Sequence, residues 1–100
     1  MIVAITLDEV LYMMGGGNLH AEFSPGDRYT VSIRDQQGEI ASLVDEKVIR
    51  AEAAGTGKSL EEAKGLLVEK MKGCYLKFRI PFAGASMEGH LRIPKTLVLG

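Results

Sequence analysis

The sequence predicts an α+β domain that spans residues 1–100 as one unit. Its mainly antiparallel sheet should have about five or six strands, with one main helix at residues 60–72 packed on one face and a short N-terminal helix at residues 7–14. Two observations predict this class. Two capping boxes each precede an apolar stripe of helical period, and most other segments alternate apolar and polar residues between turn signals. No internal repeat or linker divides the chain.

Composition limits the function classes that the chain can belong to. Apolar residues at 46% and charged residues at 25% are ordinary for a globular domain, which excludes a disordered or fibrous chain. The 12 Lys and Arg against 13 Asp and Glu leave a formal charge of -1, so a nucleic-acid role would need a local basic patch. The single Cys74 cannot form an internal disulfide and fits a reducing compartment.

The N-terminal segment MIVAITL is apolar, but neither a basic region nor a small-residue cleavage site flanks it. Residues 6–9 (TLDE) form a capping box, from which an apolar stripe runs to Met14, and the glycines at 15–17 end the helix. A competing interpretation extends MIVAITL as a strand up to the acidic pair. No run approaches the ~18 apolar residues of a membrane span, so we expect a cytoplasmic protein without a membrane segment.

The middle of the chain predicts antiparallel strands. Residues 19–24 and 29–34 alternate apolar and polar side chains around a Ser-Pro-Gly-Asp turn, so the two segments should pair. Another turn follows at residues 35–38. Residues 39–54 suit either one bent strand or two short ones, a choice that the pattern leaves open, with the last strand before the main helix at residues 48–54.

The main helix begins at a second capping box, Ser59-Leu60-Glu61-Glu62, and its apolar stripe continues through residue 72. Gly73 is the natural end. Gly65 lies inside this helix, where glycine costs roughly 1 kcal/mol relative to alanine, so we expect close packing there.

The C-terminal quarter predicts two more strands. Residues 74–80 alternate as a strand that should end at Pro81, and residues 82–86 should form a loop. A short strand at residues 90–93 then closes at Pro94.

The Gly57-Lys58-Ser59 sequence has the form of the end of a phosphate-binding loop. The first glycine of that pattern falls at residue 52, where this chain has Glu52, whose carboxylate would repel phosphate. The sequence therefore predicts no nucleotide and no other cofactor. Instead, Gly55 and Gly57 should turn the chain while Ser59 caps the helix.

The best local argument for a polyanionic partner lies on the C-terminal strands. Tyr75, Lys77 and Arg79 share one strand face, and Arg92 lies near them with His90 if the strands form a hairpin. This basic strip could stack bases and contact phosphates. A solvated outer sheet face has the same composition and is the favoured interpretation.

Two pairs each place a histidine and a carboxylate on one strand face: His20 with Glu22, and Glu88 with His90. If their strands were neighbours, these four side chains could hold a divalent metal, but two exposed faces with incidental histidines are the favoured interpretation. Cys74 falls on an apolar face, which predicts a structural thiol. No triad or dyad is present, so no catalytic residue is predicted.

The segment AAGTGKSLEEAKGLLVEKMKG, residues 53–73, resembles the strand, glycine turn and capped helix of HicB-like antitoxin domains. Their helix commonly opens with Ser or Thr and then Leu-Glu-Glu-Ala, matched here at residues 59–63. The resemblance covers residues 28–73 and implies a toxin partner and operator binding. HicB-like chains usually add a helical or ribbon DNA-binding domain, whereas residues 74–100 here have the pattern of strands and a tail.

The longer pattern is similar to small uncharacterised proteins carried by phages and mobile gene cassettes. Those run as a short helix, a meander, a capped helix, a glycine, a strand and a closing strand ending in an apolar residue and Pro. The matching segments here are Thr6–Met14, Ser59–Ala63, Gly73–Phe78 and Ile93-Pro94. The match covers nearly the whole chain and implies no particular activity.

The sequence therefore predicts a non-enzymatic accessory or binding protein of a mobile element or phage. It should act through protein contacts, as a homodimer or with another protein, and a protein partner is favoured over nucleic acid. The alternatives are a nucleic-acid-associated regulator using the basic strip, and a small metal-dependent enzyme using the two histidine–carboxylate pairs.

Overall fold

The computed structural model describes residues 5–45 and 48–100 and confirms the α+β class. Its helices are α1 (Leu7–Met13) and α2 (Leu60–Met71). The strands are β1 (Asn18–Ser24), β2 (Arg28–Arg34), β3 (Ser42–Asp45), β4 (Val48–Glu52), β5 (Ala54–Gly57), β6 (Tyr75–Phe82) and β7 (Ala85–Arg92). They form two antiparallel sheets, ordered β1-β2-β5 and β4-β3-β6-β7.

The first helix begins where its capping box predicts. The Glu9 amide donates to Thr6 Oγ1 at 3.2 Å, and the Thr6 amide donates back to Glu9 Oε1 at 3.0 Å. Thr6 itself forms only an isolated bridge, to Val98, so the capped helix is the correct interpretation over the described residues. Residues 1–4 of the competing strand lie outside those residues.

The two sheets meet where three chain segments form a closed set of backbone hydrogen bonds. The amide of Ile33 donates to Ala53 at 2.9 Å, Ala53 donates to Ala41 at 2.9 Å, and Ala41 donates to Ile33 at 2.8 Å. All three side chains are buried. The chain changes sheets at Ala53, between β4 and β5, so the described strands number seven in two sheets rather than five or six in one.

This junction answers the question that residues 39–54 left open. β3 and β4 are separate antiparallel strands, and β5 begins directly after Ala53 and pairs with β2. The connection at residues 46–47 lies outside the described part of the chain.

Close packing occurs at strand glycines and not at the helix glycine. A Cβ on Gly55 would lie 2.6 Å from the Leu67 amide nitrogen, and one on Gly57 would lie 2.8 Å from that of Ala63. A Cβ on Gly65 would meet nothing within 4 Å. The expectation of close packing at Gly65 is therefore wrong. Gly55 and Gly57 do not turn the chain either, because they lie in β5 and let it approach the α2 backbone.

The C-terminal hairpin is longer than the sequence predicts. β6 continues through Pro81 to Phe82, because the Arg79 amide points away from β7 to Asp35 Oδ2 at 3.3 Å and position 81 shares that orientation. Residues 82–86 do not form a loop, since Ala83 and Gly84 make a tight turn with φ of 50° and 80°. The last strand, β7, therefore has eight residues and is longer than the short strand predicted at residues 90–93.

One hydrophobic cluster joins both helices and both sheets. Its largest fully buried side chains include Leu7 of α1, Ile33 of β2, Leu67 and Met71 of α2, Leu76 of β6, and Ile93 and Leu97 of the C-terminal segment. Neither of the described helices is long and apolar enough to cross a membrane.

Candidate functional site

The β6–β7 hairpin at the edge of the second sheet carries most of the residues that the sequence singles out. Its strands pair without interruption from Tyr75–Arg92 to Phe82–Ala85. Because side chains alternate, one face carries the odd-numbered residues of β6 and the even-numbered residues of β7, and the opposite face carries the others. We call these the outer face and the inner face, since the second includes the buried Leu76.

The outer face brings the four residues of the basic strip together. Tyr75 lies opposite Arg92, whose guanidinium carbon is 5.9 Å from the centre of the tyrosine ring. Lys77 and Arg79 follow along β6, and Arg79 Nη1 donates to Ser86 Oγ at 3.4 Å. The alternation of the sequence therefore predicts the shared face correctly.

Glu88 lies within the strip and neutralises part of its charge. Its carboxylate is 2.7 Å from His90 Nε2 and 3.1 Å from Lys77 Nζ. The hydrogen bond from His90, and then that from Lys77, hold the pKa of Glu88 below its ordinary value. Glu52 adds a second carboxylate, because it lies in register with Ser42, which is itself opposite Lys77. The outer face thus has mixed charge, which attracts phosphate backbones less than a uniformly basic strip.

Two hollows adjoin Lys77. One, of about 330 Å³, is lined by Val44, Asp45, Tyr75, Lys77 and His90. The other, of about 170 Å³, is lined by Asp35, Glu39, Ile40, Ser42, Lys77, Phe78, Arg79 and Glu88. Small-molecule sites usually enclose roughly 300–1,000 Å³, so the first hollow is near the lower limit and the second is below it.

The two histidine–carboxylate pairs form separately. His20 Nε2 is 3.0 Å from Glu22 Oε1 on β1, in the first sheet, whereas His90 contacts Glu88 on β7, in the second. Within residues 5–45 and 48–100, no three His, Cys, Asp or Glu side chains are grouped closely enough to hold a metal ion. The structure therefore brings each pair together but does not combine the pairs into the four-ligand site.

The remaining candidates have structural roles. Ser59 Oγ accepts from the Glu62 amide at 3.1 Å, which is the serine half of the predicted capping box. Gly57 lies against the first turn of α2, so it does not leave the open cradle of amides that a phosphate loop requires. Cys74 Sγ contacts the Lys70 carbonyl at 3.4 Å, and its side chain packs against the hydrophobic core.

The inner face of the hairpin carries the hydrophobic core beyond the body of the protein. Phe78 is buried over Gly89, where a Cβ would lie 2.7 Å from the phenylalanine ring. Further along, Ile80 is half-buried, Met87 is 49% exposed and Phe82 is 65% exposed. An apolar strip that begins in the core therefore ends in solvent at the turn.

The sequence does not predict this apolar strip, because a strand that ends at Pro81 excludes Phe82. The signal that could have found it is the alternation on both sides of the Ala83-Gly84 pair. Apolar residues recur at Phe78, Ile80 and Phe82 before the turn and at Ala85 and Met87 after it.

Comparison with known proteins gives no match for this chain, whether against protein-family models, curated proteins or solved structures.

Proposed function

We propose that the chain is a non-enzymatic binding protein that acts through protein contacts made by the β6–β7 hairpin. The observation that carries this proposal is the uncovered end of the inner face, where Phe82 and Met87 extend the core into solvent. We call Ile80, Phe82 and Met87 the apolar tip.

The apolar tip has the properties of an interaction site. Burying one large apolar side chain contributes roughly 1.5–3 kcal/mol, so a partner that covers the tip would gain substantially from it. Pairing with β7 fixes the backbone of β6 from Tyr75 to Phe82, which lowers the conformational entropy that binding removes. Large apolar patches that border polar surface mark such interfaces.

The experiment is photo-crosslinking in cells of the source organism with benzoylphenylalanine at position 82. The matched control places the same residue at Leu66 of α2, which is 45% exposed. We expect one discrete protein adduct from position 82 and none from position 66. The absence of an adduct at 82, or the same ladder of adducts from both positions, would contradict the proposal.

Nucleic-acid binding is the second candidate, and the contact of Arg92 with Tyr75 on the outer face favours it. Retention on a polyanion column separates the two candidates, because phosphate binding weakens steeply as salt rises. The combined Lys77→Ala and Arg79→Ala changes should then abolish retention, whereas Lys58→Ala and Lys64→Ala together should not. If the protein acts through protein contacts, the parent chain passes through the column even at low salt.

A further inference from the structure

The outer edge of β7 carries unpaired backbone groups in a regular array. Among the described strands, β7 pairs with β6 alone. The Ile93 amide donates toward β6, to the Cys74 carbonyl at 2.8 Å, so alternate residues of β7 share this direction. Hence the amides and carbonyls of Ser86, Glu88, His90 and Arg92 point away from the sheet. β7 has no proline and no bulge, two features that often protect an edge.

We infer that the partner is a second copy of this chain, joined through antiparallel pairing of the two β7 strands with the two-fold axis at Gly89. This inference rests on the proposed function and names its partner. The two four-stranded sheets then form one continuous sheet across the axis.

Charge complementarity and the position of Pro94 together select this register. With the axis at Gly89, Glu88 lies opposite His90 of the second copy and Ser86 lies opposite Arg92, so no like charges face each other. Glu88 already binds His90 within one chain at 2.7 Å, and the second copy offers it another His90 on the same sheet face.

The neighbouring registers are less favourable. An axis at Glu88 would place two carboxylates directly opposite each other, which is destabilising. An axis at His90 would pair Glu88 with Arg92 of the second copy, but it would bring two histidines together. It would also oppose Ser86 with Pro94, which has no amide to donate. Only the axis at Gly89 uses the whole of β7 and leaves Pro94 outside the ladder.

The same register covers Met87, the residue of the apolar tip that lies on β7. A two-fold axis perpendicular to the sheet keeps both inner faces on one side and places the turn of each hairpin beside the base of the other. Met87 then lies opposite Leu91 of the second copy, and the residues near the turn approach the fully buried Ile93. The exposed end of one inner face is thereby placed against the core end of the other.

The first measurement is sedimentation equilibrium of the purified chain, with Met87→Lys as the test variant. Met13→Lys is the matched control, because Met13 on α1 is 46% exposed and Met87 is 49% exposed. We expect a dimer whose dissociation constant rises at least about tenfold in Met87→Lys, since the charge enters the interface twice. The Met13→Lys variant should dimerise like the parent. A monomeric parent chain overturns the inference.

The second measurement is disulfide crosslinking, which tests the register of the two β7 strands and does not depend on the folding of Met87→Lys. Chains with Cys74→Ser carry a single new cysteine, either Glu88→Cys or His90→Cys, and are oxidised alone and mixed. Directly opposite residues in a hydrogen-bonded pair have Cα atoms about 5.5 Å apart, which suits a disulfide. We expect the mixture to give a crosslinked dimer and neither chain alone to give one. Crosslinking of either chain alone, or no crosslinking of the mixture, overturns the axis at Gly89.

These results are distinguishable from failure of the proposed function. A monomeric chain that still gives a heterologous adduct at position 82 overturns the second copy as the partner and leaves protein contact through the hairpin intact. A dimer that forms equally well in Met87→Lys overturns the β7 interface.

Discussion

At the scale of single residues, the glycines of β5 and α2 have opposite roles although they lie close together in the sequence. Gly55 lies against the backbone of α2, and a Cβ there would meet the carbonyl oxygen of Ala63 and the backbone of Leu67. Gly65 has open space around it. Backbone atoms cannot move aside as the end of a flexible side chain can, so only the first position requires glycine.

Alanine at the two positions should therefore change stability in opposite directions. Gly55→Ala should lower the free energy of unfolding by about 3 kcal/mol, because α2 must move away from β5. Gly65→Ala should raise it by about 1 kcal/mol, because alanine restricts the unfolded chain and has room in the helix. Urea denaturation followed by circular dichroism measures both changes. A stabilising Gly55→Ala would contradict the close approach of the two elements.

The sequence predicts some residue roles and not others for a physical reason. The caps at Thr6 and Ser59 depend on atoms three residues away, so the local pattern contains all the information. The role of Gly55 depends on a helix that packs over it, and the partners of Glu88 depend on how β6 and β7 pair. Alternation predicts that the basic strip shares a face, but only the register places a carboxylate inside it.

At the scale of elements, the hairpin extends past Pro81 because its turn is of the type that suits twisted strands. Both turn residues have positive φ, which is the type I′ geometry. Gly84 adopts this conformation at no steric cost, whereas Ala83 at φ 50° does not. The pairing of β6 with β7 therefore outweighs a strained residue at the turn. A sequence pattern does not contain the energy of strand pairing or of strain at the turn. Proline is therefore predicted to end the strand.

Relief of this strain should stabilise the end of the hairpin. Ala83→Asn creates an Asn-Gly turn, the preferred type I′ sequence, and should stabilise the paired turn by about 1 kcal/mol. Hydrogen exchange of the Ile80 and Met87 amides, which face across the hairpin near the turn, should then slow by about fivefold. Gly84→Ala is the matched opposite change and should accelerate the same exchange. Equal exchange rates in all three chains would show that the turn does not limit opening.

At the scale of the whole molecule, the two sheets are joined by more than the shared hydrophobic cluster. Asp35 is 4% exposed, and its Oδ1 accepts from the amides of Gln37 at 2.9 Å and Glu39 at 3.1 Å. Its Oδ2 accepts from the Arg79 amide of β6. One buried carboxylate thus connects the end of β2 to the second sheet, beside the backbone junction at Ile33, Ala41 and Ala53.

The division into two sheets could not be predicted from alternation, because alternation does not show which strands pair with each other. The junction between the sheets consists of backbone hydrogen bonds among Ile33, Ala41 and Ala53. These bonds join segments that lie far apart in the sequence. The turn at residues 35–38 is predicted correctly as a turn, yet its aspartate has a second function that only the folded chain shows.

We predict that the two sheets unfold together and that Asp35 stabilises both. The chain has no tryptophan, so Tyr29→Trp reports on β2 of the first sheet and Tyr75→Trp reports on β6 of the second. Urea curves from the two probes should coincide, because buried residues of both sheets belong to one cluster.

Asp35→Ala should shift both curves equally, by about 3 kcal/mol, because three amides lose a buried charged acceptor. Asp8→Ala, on the exposed first turn of α1, should cost no more than about 1 kcal/mol. Curves that separate between the two tryptophan variants with Asp35 intact, or a shift confined to the Tyr29→Trp probe, would mean that the sheets fold as independent units. The hairpin interface would then have to be stable without support from the first sheet.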